Sequence, residues 1–500
     1  MELFLVLGCL AVAIVICYGV LKRNSGIVRE GLKPVAGPRS RPLVGNSLQV
    51  EKHHIHQTFE AWKKEYGSIF KCKILGTVGV YINDIDLLKK AFSMDAFNDR
   101  PKYVFSDEIL LGHGLAFGRR DDVTTDVIRQ AILTYSSAQL QQEKYVTDEL
   151  QRLVRCMENT NGVDFDFAIM IRTAYANILS NFLTGEPAQQ TDSKILWDFM
   201  DNVIALFDGG YVFMVNQFPF LRRLPGTIKS KWNTASQYRD ALVNRYRGSG
   251  WKVESDKTGY LNYLNKLKEE NDGSQDNPKL LDQHIAASIP DIIAASLAAG
   301  SNNFIASVLL LLKHPDVMKR VQEELDTTLT GTSELMSADM EKLPFTRATV
   351  MESVRHASIV HLSVPHFASQ DTDLAGYLIS KDTQLFGNIW GIHHDEDIWG
   401  DPFEFRPERF LDSEGKVLPP ENKVRQAFIP FCVPRRHCPA GDLAVLWEFL
   451  FVATILRHFD MFPPTESQLP SHDSRDFYCH AALVPPPYKC RIVPRNQIAK

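Results

Sequence analysis

From Leu3 to Leu21 no side chain is charged; Glu2 precedes the run, and Lys22, Arg23, Arg29 and Lys33 follow it. A helix of that length spans roughly 28 Å, close to the hydrocarbon thickness of a bilayer. A cleaved signal peptide has its basic residues before the apolar run and a small-residue cleavage site after it. This order is the reverse, so the pattern predicts a single-span anchor. The positive-inside rule then sets the rest of the chain in the cytoplasm. Behind it, Pro34, Pro38 and Pro42 recur at a spacing that forbids helix and favours a stiff, extended connector. The expected organisation is an anchor over residues 1–21, a basic, proline-rich linker over 22–45 and one body over 46–500.

Within the body, apolar positions recur at helical spacing over 55–66. Residues 69–74 and 78–82 read as a two-strand hairpin around Gly76. Most of 85–350 is helical in period, interrupted by loops at 105–118 and 271–278. The stretch 281–313 is apolar on nearly every side, which places it in the middle of a large domain. Ala294, Ala295, Ala298 and Ala299 remove side-chain volume at its centre and leave room for something flat. A short helix around Glu352–Arg355 is followed by strand-like pieces at 377–379 and 384–386 about a turn at 380–382. A strongly apolar helix over 443–459 comes last. The fold class is mainly α with a minor β part.

Composition narrows the class. The 500 residues are 23% charged and 44% hydrophobic, which excludes disordered and collagenous chains. A net charge of −5 argues against a protein dedicated to nucleic acid. Eight cysteines without a tight framework are not a secreted disulfide scaffold.

The densest chemistry lies in residues 431–444, FCVPRRHCPAGDLA. Cys438 precedes the start of the last helix, and Arg435 and Arg436 stand beside it. A helix N-terminus and nearby cations both favour a thiolate, and a thiolate suits a metal ligand or a nucleophile. A buried structural cysteine is the bland reading. Zinc held by Cys432, His437 and Cys438 has no standard spacing and no evident fourth ligand. Adjacent residues such as His437 and Cys438 do not face each other as a catalytic pair.

This loop, with the motifs ahead of it, resembles the cytochrome P-450 family over residues 30–495. Phe431, Arg436, Cys438, Leu443 and Ala444 match the haem-thiolate loop, and Glu352-Ser-Val-Arg355 matches the Glu-x-x-Arg motif. Arg409 lies in Pro407-Glu-Arg-Phe410, and Val364-Pro-His366 and His393-His-Asp395 follow the family order. The anchor and hinge resemble microsomal members related to vertebrate drug- and steroid-metabolising enzymes. The resemblance implies a helix-rich triangular body with a small β lobe, on the endoplasmic reticulum membrane. It implies haem b with Cys438 as the iron ligand, and Arg436 and His366 on its propionates. Glu352, Arg355 and Arg409 become a structural triad. NADPH acts indirectly through a flavoprotein reductase, the substrate is a small lipophilic molecule, and nucleic acid is no partner. Lys423, Arg425, Arg435 and Arg436 would offer the reductase a basic face.

Several positions depart from the family pattern. Cys432, Pro434 and Ala440 replace glycines of the haem loop. Counted without gaps from Lys313-His-Pro315, the usual acid and alcohol of the central helix fall on Ala298 and Ala299. That pair organises protons during dioxygen activation, and alanine supplies neither group. A frame slid by four residues makes Ala299-Gly-Ser-Asn-Asn303 the counterpart instead; the ungapped frame is preferred. Ser296, Ser301 or water are the available substitutes. The usual Trp and Arg propionate contacts correspond to Thr124 and Ile128, with Arg129 close by. Three functions follow: a reductase-driven monooxygenase, a reductase-independent peroxide isomerase or dehydratase, or a catalytically impaired relative that binds haem or ligand. The expected pocket walls are 105–118 and 207–220.

Overall fold

The computed structural model describes residues 31–495 except 43, 75, 119–122, 140–142, 189, 248–257, 273–279, 330 and 332–333. The anchor expected over 3–21 lies outside the described residues. Among those described, one helix is long and apolar enough to cross a membrane, Asp282–Lys313, and 72% of its most apolar window is buried inside the protein. It is the core helix of the body.

That central helix packs against Phe167–Thr184, Gln190–Asp208, Thr227–Arg247, Pro344–Ala357 and Gly441–His458. Its apolar residues join one large core with those of its neighbours. Lys313 ends it, and Pro315 opens the next helix, Pro315–Thr328, at a position where the missing amide costs nothing.

The β part consists of small separate sheets. In the largest, Ile69–Ile74, Thr77–Ile82, Gln384–Gly387 and His366–Phe367 lie side by side in that order. The first two form the hairpin expected around Gly76. Tyr377–Ile379 and Gln384–Gly387 do not pair with each other. Tyr377–Ile379 joins Thr372–Leu374 and Lys33–Pro34, whereas Gln384–Gly387 runs parallel to Thr77–Ile82. The turn at 380–382 thus passes the chain from one sheet to another. The proline-bearing segment is extended but not free. The Lys33 amide donates to Gly376, Lys71 donates to the Ala36 carbonyl, and Gly37 lies against the Lys71 backbone with no room for a Cβ.

Candidate active site

The loop after Phe428 brings Cys438 back to Phe431, whose carbonyl accepts the Cys438 amide at 3.0 Å. Cys438 is accessible by surface area, yet protein encloses it closely enough to push its thiol upward. A side chain with both properties opens into an interior cavity. Burial outweighs the Ala440 amide and the Arg129 charge, which favour the thiolate. The expectation that Arg435 and Arg436 lower this thiol is corrected. Arg129 is the cation that acts on it, while Arg435 pairs with Asp95 and Arg436 turns inward.

The central helix packs against the helix that follows Cys438. Ala295 is exposed, and Ile292, Ala294, Ser296, Ala299, Gly300 and Asn303 are half-buried. All of these but Ala294 and Gly300 fall within about 100° of the helix circumference, a stripe of accessible positions. Ala298 lies off it and is buried. Ala299 and Asn303 both lie on this stripe, while Ala298 and Asn302 are both buried, Asn302 with its amide on the Leu483 carbonyl, so the two frames place their residues alike. The Ser301 hydroxyl, one expected substitute, is spent on the Leu297 carbonyl at 2.5 Å.

Guanidinium groups gather at a third side. Arg436 donates to the Gly118 carbonyl at 2.6 Å, and Arg129 donates to His437 O at 2.9 Å. Arg100, unnoticed in the sequence, is buried to 5% and bonds only carbonyls: Ala116 at 3.0 Å, Val364 at 3.1 Å and Pro365 at 3.0 Å. Among the described residues none of the three bonds a carboxylate. Burial and mutual repulsion hold Arg100 and Arg436 below their ordinary values. Asp291 faces the group from the central helix; it accepts the Ala116 amide at 3.0 Å, and burial raises it to about 6. The only sequence signal for Arg100 was a charge in an otherwise buried stretch, 96–101, and sequence spacing does not reveal burial.

His366 lies beside this cluster, stacked on Phe92 at 3.5 Å, with Nδ1 donating to Phe97 O at 2.7 Å. Burial and the neighbouring Arg100 and Arg436 keep its ring neutral. Nδ1 therefore carries the proton, which leaves Nε2 as the second ring nitrogen for a ligand. No three His, Cys, Asp or Glu side chains among the described residues converge as a metal cage, and His437 faces Arg129, so the zinc alternative has no ligand set.

A second constellation lies away from the cavity. Glu352 and Arg355, one turn apart on a fully buried helix face, bond at 2.7 and 2.8 Å, and Arg409 reaches Glu352 at 3.0 Å. Arg355 also donates to the His393 and Pro402 carbonyls, and Arg409 to Trp399, Asp401 and Glu404. With the Arg406 amide on Glu352, every charge here is hydrogen-bonded, which makes the buried set tolerable.

A thiol opening into the interior, small residues on the central helix, and guanidiniums that hydrogen-bond no carboxylate among the described residues form a donor set. It fits an iron porphyrin, which needs a soft axial sulfur, a flat slot and cations for its acidic side arms.

A sequence model described as Cytochrome P450 matches residues 35–492. The chain is 28% identical over 506 residues to cytochrome P450 2D14 of Bos taurus, covering 98% of each chain. It is 27% identical over 502 residues to cytochrome P450 2D15 of Canis lupus familiaris, again over 98% of each. Cytochrome P450 2D6 of Homo sapiens matches at 27% over 475 residues, 92% of this chain and 93% of its own.

Proposed function

The chain belongs to the cytochrome P450 family, and from that premise we propose that it is a haem-thiolate monooxygenase of a small lipophilic substrate, drawing electrons from NADPH through a membrane-bound flavoprotein reductase. The observation that carries this reading is the interior opening of Cys438 on the side of Arg100, Arg129 and Arg436, whose side chains hydrogen-bond no carboxylate among the described residues. Haem, when bound, supplies dioxygen activation.

The chain's own residues hold and orient. Cys438 is the proposed iron ligand, and the Ala440 amide supports its charge. Arg100 and Arg436 are the proposed holders of the propionates; His366 lines the same side, with its one proton given to Phe97 O. Glu352, Arg355 and Arg409 lock the helix Pro344–Ala357 to the segment before the loop, and so hold the loop's approach. Leu115, Phe117 and Phe207, half-buried and packed against the core, lie in the two segments expected to wall the pocket, which suits a lipophilic substrate.

Ala299 on the cavity face, with no acid or alcohol of its own, favours weighing a second reading, turnover of a hydroperoxide that brings its own oxygen. The test is reconstitution of the full chain with reductase in lipid vesicles and a panel of steroids, fatty acids and xenobiotics under labelled dioxygen. One labelled oxygen in an NADPH-dependent product supports the monooxygenase. Product from a hydroperoxide alone supports the second reading, and neither product would make the chain an impaired relative.

A further inference from the structure

We propose that a polar stripe on the central helix, running from Glu448 past Tyr175 and Asn303 to Ser296, carries protons into the reaction cavity in place of the missing acid–alcohol pair. The inference rests on the monooxygenase reading.

The stripe stands out because the helix is otherwise apolar. Ser296, Gly300, Asn303 and Ser307 follow at spacings of four, three and four, which puts them on one face. Ser296 is the cavity end: it lies among the accessible positions, and no hydrogen bond to its hydroxyl is recorded among the described residues. One turn on, Gly300 has no side chain, and the Tyr175 hydroxyl from the helix Phe167–Thr184 occupies the space where its Cβ would stand. Asn303 spends its amide on the Ala299 carbonyl at 3.0 Å and leaves Oδ1 buried without a partner among the described residues. A buried acceptor in that condition calls for a water. At the far end the Ser307 hydroxyl donates to Glu448 Oε1 at 2.6 Å.

Glu448 is the acid of the path. It sits inside the helix Gly441–His458, 3% exposed, without a cationic partner among the described residues. Burial pushes its carboxyl to about 8, so it holds a proton at neutral pH. Tyr175 lies within electrostatic reach of Glu448, and burial holds its phenol protonated too. Hydroxyl, carboxylic acid and water are the groups that relay protons; alanines are not.

The step moves protons alone. Glu448 releases its carboxyl proton to water in the gap between it and the Tyr175 hydroxyl, and that hydroxyl gives up its own proton as it gains one from the water. Water at Asn303 Oδ1 passes the charge beside Ala299, and Ser296 Oγ–H donates into the cavity and regains a proton from that water. Solvent water reprotonates the Glu448 carboxylate. Ser307 is a positioning residue, because it holds Oε1 and leaves Oε2 as the donor.

The experiment is infrared spectroscopy of the full-length holoprotein at neutral pH, which reads the carboxylic C=O stretch without needing turnover. The band should vanish in Glu448→Gln, whose carboxamide keeps the Ser307 hydrogen bond. On transfer to deuterated water it should shift in the unchanged chain, because solvent water exchanges with the acid end of the path. Persistence of the Glu448 band in Glu448→Gln, or a band that does not shift in deuterated water, overturns the path. In reductase-driven turnover, Ser296→Ala should divert electrons from product to hydrogen peroxide, and Ser296→Thr should restore the ratio. An unchanged ratio in Ser296→Ala overturns the role of Ser296. If the unchanged chain makes no reductase-driven product, the monooxygenase reading fails, and the infrared arm still decides the path.

Discussion

Cys432 holds a φ of +63°, in the left-handed region where a Cβ is strained. Ala440, which also stands where the family has glycine, has φ −105°, so its side chain costs the loop nothing there. The sequence made the two substitutions look equivalent; the backbone separates them. Burial lifts the Cys432 thiol to about 11, so it stays neutral beside Cys438. Cys432→Gly should therefore stabilise the protein by about 1 kcal/mol, the strain of one left-handed residue. Denaturant midpoints test this, and a clear loss of stability would mean that packing of the thiol outweighs the strain. Arg100 is the residue that spacing could not find. Its role comes from burial against the 114–118 loop and from chain segments some 265 positions away. Neither is written in local pattern.

Among elements, long helices were legible because their apolar period is strong. The spans Ile55–Tyr66 and Asp282–Lys313 follow the pattern almost to the residue. The pieces at 377–379 and 384–387 were legible as strands, yet their partners were not. Strands of three and four residues carry too little pattern to fix a register, and distant segments complete their sheets. The helix Pro344–Ala357 extends well beyond the short helix that the sequence marks around Glu352–Arg355, because nearly all of it is buried and no polar face marks its period. Its buried triad joins it to the segment Pro407–Phe410. Glu352→Ala would leave Arg355 and Arg409 buried without their anion, at a cost of about 3–5 kcal/mol. Chemical denaturation should show that loss as a smaller yield of folded protein. A change below about 1 kcal/mol would show that the backbone carbonyls suffice.

At the scale of the molecule, buried imidazoles dominate the response to acid. Burial holds His56 at about 4, His356, His361 and His393 at about 3, and His366 and His394 well below 6.5. The unfolded chain protonates these rings as pH falls through about 6.5, the native chain does not, and each then removes about 1.4 kcal/mol of stability per pH unit. Glu149 at about 7, Asp291 at about 6 and Glu448 at about 8 act oppositely, because the native state holds their protons first. Six rings outnumber three carboxyls, so stability should fall steadily from pH 6.5 toward 4. Thermal midpoints across that range test this, and a flat profile would contradict it. The expected basic docking face is also revised at this scale. Arg436 points inward to Gly118 and Arg425 bonds the Leu418 carbonyl, while Lys423 and Arg435 are exposed, Arg435 in a surface pair with Asp95.

The claim on which the rest depends is thiolate ligation by Cys438. The reduced carbon-monoxide difference spectrum of the detergent-solubilised protein, compared with Cys438→Ser, tests it most directly. The account predicts the red-shifted Soret band of a thiolate complex in the unchanged chain and its loss in Cys438→Ser. The same band in Cys438→Ser, or no such band in the unchanged chain, would contradict it.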